Sequence, residues 1–267
     1  MAVSPEDLTR QTVSQYAMSL VAHKQPRNIF MRIYKQLYSS FGPQYWWPGD
    51  STEEIIIGAV LTQNTSWQNV VRAIDRLKHS NVVSLRKILA MSDNKLARLI
   101  RPAGYFRIKT KRLKSVAGFW VQQWDTDWPR VRRASLARLR TQLLNVYGVG
   151  PETADSILLY AFNKPTFVVD AYTQRIGGRH GLFPPGASYA DIQKIVESAI
   201  PHRPALYNEY HALLVRLGKE YCRARPRCLD CPLNHRIFFR KNRRPINWKI
   251  LLAHCLPLTM ISTNAFY

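Results

Sequence analysis

Acidic residues are scarce in this chain. Among its 267 residues, 17 are Asp or Glu and 39 are Lys or Arg, a formal net charge of +22 at neutral pH. So uneven a balance points to a polyanionic partner, nucleic acid first and an anionic membrane surface second, although a generic basic surface would also carry it. Long apolar runs are missing too: no stretch reaches the roughly 20 residues that a membrane-spanning helix needs. The opening MAVSPEDLTRQTVSQYA has neither the apolar core of a secretory signal nor the Arg/Ser bias of a transit peptide. A cytoplasmic, nucleoid-associated monomer without membrane contact is the expectation. Cysteines number only four, three of them between Cys222 and Cys231, which suits a metal cluster better than a disulfide framework in such a compartment.

What is present is helical periodicity. Ser51 and Glu54 have the spacing of a capping box and lead into the apolar run Ile55, Ile56, Ile57, Ala59, Val60 and Leu61. Val70, Val71, Ile74 and Leu77 recur at helical spacing, and further helices are expected around 108–123, 132–146, 151–162, 171–180, 189–199 and 204–221. Pro and Gly mark the breaks, as at Pro102-Ala103-Gly104 and Pro184-Pro185-Gly186. No strand pair and no repeat stands out, so the fold class is all-α. Beyond about 235 the chain turns basic and then nearly uncharged, and 236–267 reads as a poorly ordered tail.

Two segments carry chemistry. In LLNVYGVGPETADSILLYAF (143–162), one amphipathic helix ends in Gly148-Val149-Gly150 and a second begins with Pro151. Proline costs nothing at a first helical position, and two glycines two apart let backbone N–H groups approach an anion beside the helix's positive end. Such a device holds phosphate without reading base sequence. An ordinary interhelical turn would show the same spacing. In PTFVVDAYTQRIGGRHG (165–181), apolar Phe167, Val168 and Val169 lead to Asp170 at a helix start. That position favours a carboxylate, which can polarise water and stabilise a positive sugar; it is also a common structural N-cap.

The hairpin followed by Val-Asp at a helix start resembles the helix-hairpin-helix DNA glycosylases typified by endonuclease III, over roughly 28–234. The resemblance implies a two-lobed all-α fold with DNA in the cleft between lobes: 1–51 joining the second lobe, 52–164 a helical bundle ending in the hairpin, and 165–235 the lobe with Asp170 and the cysteines. It implies Asp170 as catalytic carboxylate. Gly148, Val149, Gly150, Thr153, Lys109, Lys111 and Arg175 become DNA contacts, the lysines from GYFRIKTKRL (104–113). Within GAVLTQNTSWQNVV (58–71), which looks like the family's early helix, Gln63 falls where that family fills the gap left by a flipped nucleotide. Tyr45-Trp46-Trp47-Pro48 resembles a stretch of the alkylpurine-excising branch, and adjacent tryptophans suit a pocket for a base that has left the stack.

Bifunctional members carry a lysine eighteen residues before the Asp; Glu152 stands there in this chain. A carboxylate forms no Schiff base, so the resemblance implies a monofunctional glycosylase acting on double-stranded DNA with damaged bases. The alternatives are a lyase that uses another lysine and a non-catalytic DNA-binding module. Relatives hold a four-iron, four-sulfur cluster with four cysteines. Cys222, Cys228 and Cys231 supply three, and the fourth position falls on Ile237, so the cluster site is degenerate and the chemical step needs no cofactor.

Overall fold

The computed structural model describes residues 26–234; the tail expected at 236–267 lies outside the described residues. All the regular elements among the described residues are helical. They divide into two compact units. One contains Tyr45–Val169 and Pro201–His211, and the other contains the chain up to Gln44, Asp170–Ile200 and the chain from Ala212.

The hairpin-bearing unit opens with α2 (Thr52–Leu61), preceded in the chain by α1 (Pro26–Phe41) of the other unit. Ser51 Oγ accepts the Glu54 N–H at 3.1 Å, as the capping box predicts. The reciprocal bond is displaced by one residue: the Glu54 carboxylate accepts from Asp50 N–H at 3.3 Å. Ile56, Ile57, Val60 and Leu61 are fully buried, each contributing roughly 1.5–3 kcal/mol by leaving water. In α3 (Trp67–His79), Val70, Ala73, Ile74 and Leu77 form the buried stripe. The short α4 (Leu85–Ala90) and α5 (Asp93–Leu99) then pack against α6 (Phe106–Trp124), whose Leu113, Val116, Ala117 and Trp120 enter the same core.

The single helix expected over 132–146 is two helices. Ala134 is extended, and capping side chains start each piece: Asp127 accepts from Arg130 N–H for α7 (Trp128–Arg133), and Ser135 from Arg138 N–H for α8 (Leu136–Leu144). After the hairpin, α9 (Pro151–Ser156) passes without a break into a π-helical stretch, Ile157–Ala161.

In the other unit, α1 buries Phe30, Ile33 and Leu37 and packs on α11 (Tyr189–Ala199). It was absent from the expected helices, although its i, i+3, i+7 pattern is ordinary. Between them in sequence comes α10 (Ala171–Arg179), and α12 (Pro204–Glu220) closes the described fold. A Cβ on Gly218 would lie 2.2 Å from a ring carbon of Tyr172, so glycine there lets α10 and α12 approach closely.

Candidate functional site

The hairpin is built from both sides. Gly148 has φ of +81°, a backbone conformation that glycine adopts at no steric cost. Val149 departs from the expectation of a DNA contact: its side chain is in the core, and its N–H donates to Val146 O at 3.0 Å. The N–H groups of Gly148 and Gly150 have no acceptor among the described residues. The first internal bond of α9 is Ala154 N–H to Gly150 O, and no side chain caps that helix. The N–H groups of Gly148 and Gly150 are therefore left for an anionic oxygen beside the positive end of α9.

Behind the turn, Asp155 is fully buried and pairs with Arg140 through both carboxylate oxygens, at 2.8 and 3.1 Å. This fork joins the two hairpin helices. Gln63 lies in a loop that separates α2 from α3, so the helix expected across 58–71 is interrupted there. Its Nε2 donates to Gly148 O and to Thr153 Oγ1, both at 2.9 Å, and its Oε1 accepts from Arg112 Nη1 at 2.8 Å. Thr153, expected at DNA, is buried with its hydroxyl used by Gln63.

Lys109 calls for correction. It is 1% exposed and donates to Leu61 O at 2.9 Å and Ala103 O at 2.7 Å, so it cannot lie on a DNA backbone. Burial first, and the Arg112 charge second, pull its pKa down to about 8. Lys111 is exposed on α6.

Trp46 and Trp47 join a larger aromatic cluster. Trp47 stacks on Tyr160 with centroids 4.9 Å apart and meets Trp67 edge-on at 4.8 Å; Trp46 lies 5.9 Å from Trp67. Gly58 admits the Trp47 ring against α2, since a Cβ there would come within 3.2 Å of it. The π-helical stretch places Tyr160, whose hydroxyl shares a 2.6 Å hydrogen bond with buried His211 Nδ1. Sequence reasoning missed Trp67, Tyr160 and His211. Trp67 falls in the quoted 58–71 segment, but nothing in the spacing brings His211 to Tyr160.

In the other unit, Asp170 is 8% exposed and caps α10, its Oδ1 accepting the Thr173 N–H at 2.7 Å. Arg175, expected at DNA, spends its guanidinium elsewhere. It donates to Cys222 O at 2.8 Å and Gly218 O at 3.4 Å and lies over the Tyr172 ring. One turn on, Arg179 donates to Cys222 Sγ at 3.3 Å and to Arg223 O at 2.6 Å. The two arginines thus fasten the cysteine loop to the helix that begins at Asp170.

The loop supplies three cysteines among the described residues, Cys222, Cys228 and Cys231. Cys222 is buried and Cys228 exposed, and no group of three or more ligating side chains that could hold a metal comes together among the described residues. Burial, with the neighbouring Cys222 and Cys228 adding to it, pushes the Cys231 thiol up to about 11 against a lowering hydrogen bond from Leu233.

An all-α chain with an amide-presenting hairpin, followed after a short link by a buried aspartate capping the next helix, defines a base-excising enzyme of DNA repair. The model of the HhH-GPD superfamily of base excision DNA repair proteins matches residues 57–202, and this chain belongs to that superfamily as a DNA N-glycosylase. It is 45% identical over 203 residues to the "Putative DNA repair glycosylase MJ1434" of Methanocaldococcus jannaschii, covering 76% of this chain and 92% of that protein. Its structure is similar to Helicobacter pylori 3-methyladenine DNA glycosylase (MagIII) bound to 1,N6-ethenoadenine, with TM-score 0.64 and 28% identity over 72% of this chain and 97% of that one. It also shares the fold of an endonuclease III in a non-covalent DNA complex, at TM-score 0.66 and 21% identity over 77% and 92% of the two chains.

Proposed function

We propose that this chain is a monofunctional glycosylase: it hydrolyses the N-glycosidic bond of an alkylated base in double-stranded DNA, with water as nucleophile and Asp170 as the assisting carboxylate. The observation that carries this reading is Glu152 on the first turn of α9, eighteen residues before Asp170, where a bifunctional relative presents an amine. Two lysines have lowered pKa values, which would suit an attacking amine, but both are committed elsewhere. Lys109 is bonded to Leu61 O and Ala103 O, and Lys164 to Arg132 O and Ala134 O. Asp170 stands at a helix start, where the helix dipole favours a carboxylate that can stabilise a developing sugar cation.

The aromatic cluster of Trp46, Trp47, Trp67 and Tyr160 supports the choice of base. Electron-rich rings favour a cationic, alkylated purine over its neutral parent. The similarity to a 3-methyladenine glycosylase that binds ethenoadenine agrees with this.

Two measurements test the reading. Mass spectrometry of bases freed from methylated, oxidised and deaminated duplexes should find alkylated purines released fastest. Borohydride should fail to trap the protein covalently on damaged DNA, and the product should be an intact abasic site. Efficient trapping of the wild type, lost on mutating some lysine, would establish the lyase reading instead.

A further inference from the structure

We infer that Gln63 and Arg112 are positioning residues that set the shape of the hairpin before DNA arrives. The inference rests on the hairpin's reading as the DNA-backbone contact. Gln63 stands 85 residues from Gly148 and 90 from Thr153, yet one side-chain amide bonds both, joining the carbonyl of the turn to the first turn of α9. That bridge fixes the angle between the turn and α9. Bonding the Gly148 carbonyl from behind also keeps the peptide from turning its oxygen toward an incoming phosphate.

The bridge is itself held by α6. Arg112 Nη1 donates to Gln63 Oε1 at 2.8 Å, and the arginine's aliphatic stem fills the space a Gly148 Cβ would need, 2.2 Å from Cγ. Three residues earlier, Lys109 bonds Leu61 O, the last residue of α2, and so anchors the loop from which Gln63 projects. GYFRIKTKRL is therefore scaffold for the hairpin at Lys109 and Arg112. In the unliganded protein, the Gln63 amide already has three partners within one unit, which is a different task from filling a gap in a duplex.

The test uses the full chain and needs no base release. Hydrogen exchange of the free protein is measured across 146–154, alongside equilibrium binding to an undamaged duplex and to one with an abasic analogue. Gln63→Ala and Arg112→Ala should each speed exchange at Val149 and Ala154, the hairpin amides bonded to Val146 O and Gly150 O, and weaken undamaged-duplex binding by on the order of fivefold, the equilibrium effect of one net hydrogen bond. The double variant should lose little more than either single one, because both act through one network. Arg112→Lys keeps the charge but lacks the planar fork and should restore binding only in part.

Wild-type exchange and wild-type undamaged binding in Gln63→Ala, with loss confined to the abasic duplex, would overturn the inference in favour of gap filling. Weaker binding with unchanged exchange would overturn it too, as would full rescue by Arg112→Lys. Gln63→Asn, which keeps the amide but shortens its reach, replaces the alanine variant if that fails to fold. The exchange arm involves no DNA, so it reports on the clamp even if the hairpin serves another ligand.

Discussion

Two buried aspartates fifteen residues apart are held in opposite ways. Asp155, in the hairpin-bearing unit, is gripped through both oxygens by a guanidinium. Asp170, in the other unit, is held through Oδ1 by a backbone N–H at a helix start. A bidentate cation cancels charge and fixes geometry, so it suits an acid whose task is to join two helices. A backbone amide at a helix start orients a carboxylate, which suits the role proposed for Asp170 as an acid that acts on a developing sugar cation. The residue type is the same and the burial similar; these partners match a structural role for Asp155 and the chemical role proposed for Asp170.

The largest expected effect separates them directly. Asp170→Asn keeps the shape and can still accept the Thr173 N–H, so the fold and undamaged-duplex affinity should survive. Single-turnover base release should nevertheless fall on the order of a thousandfold, the scale of a removed electrostatic stabiliser. Release at the wild-type rate would end the assignment of Asp170. Asp155→Asn should do the reverse: about 3 kcal/mol less stability in urea unfolding, because Arg140 loses its countercharge in a partly buried site. Base release per folded molecule should change little. If this variant proved as stable as the wild type, the hairpin would be held chiefly by the Gln63 bridge.

Lys109 is a buried cation bonded to two backbone carbonyls, those of Leu61 and Ala103. Its folded pKa, about 8, lies below the ordinary 10.5, so between these values the unfolded chain binds the extra proton and stability rises with pH. The shift is worth about 3 kcal/mol across that window. In Lys109→Met, the rise in urea-unfolding free energy from pH 8 to 10.5 should shrink by that amount. An unchanged profile would mean that Lys109 ionises as it would in water.

The smallest effect concerns the cysteine loop. Arg179→Ala removes donors to Cys222 Sγ and Arg223 O in a part-exposed setting, and global stability should fall by no more than about 1 kcal/mol. Hydrogen exchange at 222–225 should quicken while the hairpin's stays unchanged. A change in both would tie the loop and the hairpin to one cooperative unit.

The helical fold was legible because apolar spacing and capping residues are local signals, and Ser51, Ser135 and Asp170 all act as caps where they stand in the sequence. The misjudged cations show where local reading ends. Lys109, Arg175 and Lys111 look alike in sequence, but two of them bond carbonyls that other segments bring near, and only burial reveals it. The break at Ala134 was missed because the apolar period continues across it while the backbone does not. Tyr160 lies in a π-helical stretch that no composition signal marks, and its partner His211 is 51 residues away in the chain.

The space beneath Gly148 is shared property: the arginine stem occupies what a methyl group at 148 would need. Positions 112 and 148 therefore form a coupled pair in any engineering of this protein. A larger residue at 148 demands a smaller one at 112, and shortening 112 releases Gln63 from its anchor. Adding a side chain at 148 alone meets the arginine stem, and shortening 112 to make room dismantles the bridge. The hairpin glycine is thus protected against single-step replacement by a side chain from a different helix.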